Sequence, residues 1–62
     1  MKVGDLVKHK NYSELGAGII TRKPNYMFCE VFWGALVIDQ FGRSAHRRME
    51  PDAVLEVINE GG

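Results

Sequence analysis

A chain of 62 residues allows one domain, and at this size folding buries only about 60% of the surface the unfolded chain exposes, so stability is modest. Its apolar fraction of 45% is that of an ordinary globular protein, while eight Lys and Arg against eight Asp and Glu lack the cationic excess that gives a dedicated duplex-DNA binder its affinity. One cysteine, Cys29, excludes an internal disulfide and points to a reducing cytoplasm; the N-terminus has no signal-peptide core, and no apolar run approaches the ~20 residues of a membrane span.

In chain order, Gly4 and Asp5 read as a turn, and positions 6–10 as a first short strand with Val7 on one parity and Lys8 and Lys10 on the other. Positions 11–15 are polar and make a loop. Gly16 and Gly18, flanking Ala17, suggest positive φ or close backbone approach where a small barrel bends its strand. From Gly16 to Trp33 run two β-rich segments separated by Pro24 and Asn25, the sequence pattern of a long hairpin. The second strand covers 18–23 and the third 27–33, and the flanking segments must pack against this hairpin.

Glu30 sets the faces, because a lone carboxylate is seldom buried without a partner. With Glu30 outward, Cys29, Val31 and Trp33 point in, and Phe28 and Phe32 stand on the outer face. Positions 34–43 read as a long connection with some strand character. A fourth strand spans 44–49, one turn of 3₁₀ helix begins near Pro51 within 50–53, and 55–58 close as a fifth strand. Apolar residues nowhere keep helical spacing. The fold class is therefore all-β, a five-stranded SH3-like (Tudor- or KOW-like) small barrel with a 3₁₀ turn before the last strand. It forms one domain over 1–58, with a tail over 59–62 that frays.

The segments Val3-Gly4-Asp5-Leu6-Val7-Lys8-His9, Gly16-Ala17-Gly18-Ile19-Ile20, Val31-Phe32-Trp33 and Leu55-Glu56-Val57-Ile58 resemble, in that order along most of the chain, the Tudor-like SH3-fold module at the C-terminus of UvrD-type DNA helicases. More weakly, the Val-Gly-Asp start and the Gly-x-Gly second strand are similar to the polymerase-interacting domain of CarD-type transcription factors. The resemblance implies a transcription or DNA-repair adaptor, docking on RNA polymerase without catalysis. In size and style the chain also resembles small free-standing accessory proteins of bacteriophages.

The first candidate site is an outer apolar stripe. If Val7 and Ile20 face the core, Leu6, Ile19 and Phe32 face out on three neighbouring strands, and a contiguous apolar patch marks a protein partner or a dimer interface. The opposite parity would make all three core residues. The second candidate is a basic cluster of Arg43, His46, Arg47 and Arg48, joined by Arg22 and Lys23 beside Tyr26, Phe28 and Phe41, which could hold an acidic partner or the phosphates of a single-stranded nucleic acid with bases stacked on the rings. A solvated strand face is the plainer account, since Glu50 and Asp52 follow closely. A third is an aromatic cage from Tyr12, Trp33 and Phe41 for a methylated cation, against which Trp33 reads as core and Tyr12 as a cover for one barrel end. Cys29, His9 and His46 are too scattered for a zinc site, and Cys29 reads as a small buried apolar residue. Ser13 and Ser44 lack a nucleophile elbow, and no glycine-rich loop leads from a strand into a helix. The expected protein is a binding module with no cofactor, no metal and no catalytic residues.

Overall fold

The computed structural model of the chain describes residues 1–38, 42 and 44–59. Five antiparallel strands, β1 Leu6–His9, β2 Gly18–Arg22, β3 Phe28–Ile38, β4 Ser44–Pro51 and β5 Leu55–Asn59, form one sheet in the order β4-β3-β2-β1-β5. Turns of 3₁₀ helix at Ser13–Leu15 and Asp52–Val54 join β1 to β2 and β4 to β5. This is the expected all-β SH3-like arrangement with its 3₁₀ turn before the last strand. Among the described residues the hydrogen-bond ladder ends at β4 and at β5, so the barrel is not closed.

The alternation of side chains along each strand sorts them between two faces. Val7, Ile20, Cys29, Val31, Trp33 and Leu55 are buried on the inner face, joined by Leu15 from the first 3₁₀ turn and by the half-buried Val54 and Val57. Among the described residues no α-helix covers this face, so the sheet bends around its own core. Irregular registers supply the bending: Thr21 is an extra residue of β2 opposite β3, Ile58 an extra residue of β5 opposite β1, and four residues of β3, 33–36, oppose only His46 of β4.

The two glycines of the Gly-Ala-Gly segment divide the two roles expected of them. Gly16 has φ of 72° after the first 3₁₀ turn, in the left-handed region that favours glycine. Gly18 instead allows close approach: a Cβ there would lie 2.5 Å from Val31 Cγ1 and 2.6 Å from Trp33 Cε3. The hairpin turn is set by Asn25, whose side-chain oxygen accepts from the backbone N–H groups of Met27 and Phe28 at 2.9 and 3.0 Å.

Several boundaries differ from expectation. β1 and β2 each stop one residue early, at His9 and Arg22, and β3 starts at Phe28. The polar 11–15 loop contains a 3₁₀ turn that buries Leu15, because one apolar residue in a polar segment suffices to pin it to the core. β3 does not end at Trp33 but continues to Ile38, so much of the expected 34–43 connection is strand; its remainder, apart from Gly42, lies outside the described residues. β4 runs to Pro51, displacing the second 3₁₀ turn to 52–54. β5 reaches Asn59, held opposite Leu6, so that residue is not part of a frayed tail; 60–62 lie outside the described residues.

Candidate binding surface on the outer face

Behind the sheet, the inner face carries a polar cluster that locks strands together. Glu50, only 2% exposed, accepts from the Trp33 indole N–H at 3.2 Å, lies 3.4 Å from Arg48 Nε and 3.9 Å from His9 Nε2. The Asn11 backbone N–H donates to His9 Nδ1 at 3.1 Å, so a neutral His9 carries its proton on Nε2, toward Glu50. Among the described residues no buried side-chain nitrogen or oxygen lacks a partner.

A second polar group ties the β2–β3 hairpin to the last 3₁₀ turn. The Cys29 thiol donates to Asp52 Oδ1 at 2.9 Å, Lys23 Nζ donates to Asp52 Oδ2 at 2.7 Å, and the Asp52 N–H donates to the Met27 carbonyl at 2.8 Å. Cys29 is thus buried as expected, yet it also serves as a polar donor. Burial, followed by the Asp52 carboxylate, pushes the Cys29 thiol up to about 11. Burial works to raise the Asp52 carboxyl, but the Cys29 and Lys23 donors outweigh it and hold the group below the usual carboxylate range.

These opposed shifts give opposite pH dependences. The thiol, raised in the folded state, contributes stability that is complete below the unfolded thiol pKa of about 8.5 and is lost as pH rises toward about 11. Asp52, depressed, contributes stability that is present above the unfolded carboxylate pKa and lost as pH falls through the folded one. Urea melts of wild type and Cys29→Ala across pH 7–11 should converge at the alkaline end. Iodoacetamide at neutral pH should label native Cys29 at least tenfold more slowly than the unfolded chain, because the thiol is protonated and covered.

The outer face is different. Leu6 of β1 lies opposite Ile19 of β2, Ile19 opposite Phe32 of β3, and Phe32 opposite Arg47 of β4, so the three apolar residues and the arginine form one row across four strands. Ile19 and Phe32 are 39% and 44% exposed and Leu6 is half-buried. Phe28 and Met49, on the same face of β3 and β4, extend the apolar area. The His46 ring stacks on Phe32 with centroids 5.2 Å apart and planes 19° from parallel. His46 Nδ1 lies 3.1 Å from the Trp33 carbonyl, which can only accept, so this nitrogen carries the proton.

Most charges on this face are paired with one another. Glu30 accepts from Thr21 Oγ1 at 3.1 Å and lies 3.9 Å from Arg22, and Lys8 and Glu56 are likewise 3.9 Å apart. Among the described residues, Arg47 has no carboxylate within ion-pair distance.

Among the described residues the expected basic cluster does not form one surface. Arg47 and Arg48 are neighbours in a strand and so point to opposite faces: Arg47 goes out beside Phe32, whereas Arg48 goes in to Glu50. Lys23 is engaged with Asp52 and Arg22 with Glu30, and Arg43 lies outside the described residues. The aromatic candidates are also dispersed. The Tyr12 ring packs tilted against His9 with centroids 4.8 Å apart and planes at 51°, Tyr26 is 85% exposed in the hairpin turn, Phe28 is on the outer face, and Phe41 lies outside the described residues. Trp33 is fully buried and bonded to Glu50, which removes it as a wall of an open cage. Cys29, His9 and His46 occupy three different environments, and no group of His, Cys, Asp and Glu among the described residues could hold a metal ion.

Sequence reasoning misses Glu50 as an internal anchor and the stacking of His46 on Phe32. The period of two would have revealed Glu50 had β4 been carried one residue past Met49, since it is then an inward position.

No family model matches the chain, and neither does any curated protein sequence or solved structure. No helix among the described residues is long and apolar enough to cross a membrane.

Proposed function

We propose that the chain is a non-catalytic binding module that recognises a protein, whether a partner or a second copy, through the outer face of its sheet. The observation that carries this reading is the Leu6–Ile19–Phe32 row. Three apolar side chains sit in direct cross-strand register on the wet side of the sheet, while the core is complete without them. Exposed apolar contiguity of this kind marks interaction surfaces. The resemblance to polymerase-docking SH3-fold modules supports the same reading and makes RNA polymerase the first partner to try. The single buried thiol suits a reducing cytoplasm.

A second reading, binding of single-stranded nucleic acid, is favoured by the His46–Phe32 stack beside Arg47, since stacked rings next to a free guanidinium suit bases and phosphates. The paired Glu30 and Glu56 on the same face weigh against it.

Sedimentation velocity of wild type and Phe32→Ser, alone and mixed with RNA polymerase core enzyme, tests the proposal. Phe32 is nearly half exposed, so Phe32→Ser should shift the melting temperature by only a few degrees while abolishing any dimer or complex that wild type forms. A complex that survives Phe32→Ser, Ile19→Ser and their combination overturns the assignment of the face. Salt-sensitive binding of oligo(dT), with no protein association, favours the second reading.

A further inference from the structure

Building on the reading that the outer face binds protein, we infer that its occupant is a short peptide segment combining apolar side chains with a carboxylate, the carboxylate being read by Arg47. Two observations carry this beyond a generic apolar patch.

The first is size. Ile19, Phe28, Phe32 and Met49 are 39%, 37%, 44% and 40% exposed, which for side chains of their size amounts to on the order of 350 Å² of open apolar surface. A stable pair of copies covers roughly 800 Å² on each partner, about a fifth of this molecule's 4150 Å². Because such an interface is only a little over half apolar, it presents roughly 450 Å² of apolar surface a side; these four side chains fall short of that and suit a peptide. From Leu6 to Arg47 the row crosses three strand spacings, about 14 Å, a distance covered by an extended segment of four or five residues or by two to three helical turns.

The second is charge. Lys8 lies 3.9 Å from Glu56 and Arg22 3.9 Å from Glu30, so each of these cations has a carboxylate beside it. Arg47 ends the apolar row with no carboxylate within ion-pair distance among the described residues, and it sits on β4 at the end of the described sheet, where a ligand has access from the side. A guanidinium in that position complements a carboxylate placed just beyond two or three apolar side chains, and it discriminates against segments that carry a cation there. The His46 ring, stacked on Phe32, widens the apolar floor at the same end.

The test is selection of displayed random dodecapeptides on the immobilised full chain, followed by fluorescence polarisation of the synthetic winners. The expected winners combine Leu, Ile, Phe or Met with a flanking Asp or Glu. Arg47→Glu and Phe32→Ser should each weaken them at least tenfold, with thermal melts near that of wild type. Replacing the peptide carboxylate by Lys should restore affinity for Arg47→Glu while weakening wild type. Arg47→Gln should fall between wild type and Arg47→Glu. Failure to select any peptide above background, or winners without acidic residues or indifferent to Arg47→Glu, overturns the peptide inference. If, in addition, sedimentation shows a dimer lost in Phe32→Ser, the face still binds protein and a second copy is the occupant. Salt-sensitive oligo(dT) binding lost in Arg47→Glu likewise overturns the inference and assigns the face to nucleic acid. Winners that bind equally well to Phe32→Ser and Arg47→Glu sink both the peptide inference and the outer-face reading beneath it.

Discussion

Glu50→Ala is expected to leave the protein largely unfolded at ambient temperature. The carboxylate is 2% exposed and is met by groups from two other strands, the Trp33 indole of β3 and the His9 ring of β1, besides Arg48 of its own β4. Removing it strands a buried indole N–H and a buried imidazole, uncouples Arg48 and opens a void beside the largest core side chain. Deleting one partner from a buried charged cluster typically costs about 3–5 kcal/mol. At roughly 0.05–0.15 kcal/mol per residue, a domain of 62 residues has on the order of 3–9 kcal/mol in all, so the loss is comparable to the whole. Glu50→Gln should be far milder, because its amide oxygen can still accept from Trp33. Equilibrium urea melts followed by tryptophan fluorescence compare the two directly; equal destabilisation by Ala and Gln would mean that the indole hydrogen bond contributes little.

Gly18→Ala is the second large effect, and its origin is steric. The added methyl would meet Val31 Cγ1 at 2.5 Å and the Trp33 ring at 2.6 and 2.9 Å, and both neighbours are fully buried, leaving no solvent-side space to swing into. Overpacking of this kind costs about 1–3 kcal/mol, which for a domain of this size lowers the melting temperature by about 4–8 °C per kcal/mol. Gly18→Val should be worse. The contrast is Gly34→Ala: its Cβ would meet nothing closer than the Ala17 carbonyl oxygen at 3.5 Å, an ordinary contact, so the same substitution there should be tolerated much better. Calorimetry of the two Ala variants side by side separates crowding at one site from a general intolerance of side chains on these strands.

The strands and their faces were legible because the evidence for them is local. Glu30 marks the wet side of β3, and the period of two then carries Cys29, Val31 and Trp33 inward; pairing across β2 and β1 transmits that parity to Ile19 and Leu6. What the sequence hides is what depends on partners far along the chain. Glu50 looks like one more surface acid until Trp33 and His9 close around it from other strands. Arg47 and Arg48 look like one basic cluster, and only their placement on β4 sends one out and the other in. The continuation of β3 through Gly34 is obscured because its pairing changes there: the Gly34 N–H donates to Ala17 beside β2, and pairing with β4 resumes only at Val37.

The division between a polar-anchored interior and an adhesive exterior is tested most directly by nuclear magnetic resonance. Amide and methyl shifts of the labelled protein are recorded as the tightest selected ligand is titrated in. Perturbations centred on Leu6, Ile19, Phe32 and Arg47, with the Trp33 indole and His9 signals unmoved, are the predicted result. Perturbations centred instead on Tyr12 and Ser13, or on the Pro24–Asn25 turn, with the Ile19 methyls unchanged, would place recognition elsewhere and contradict the outer-face assignment.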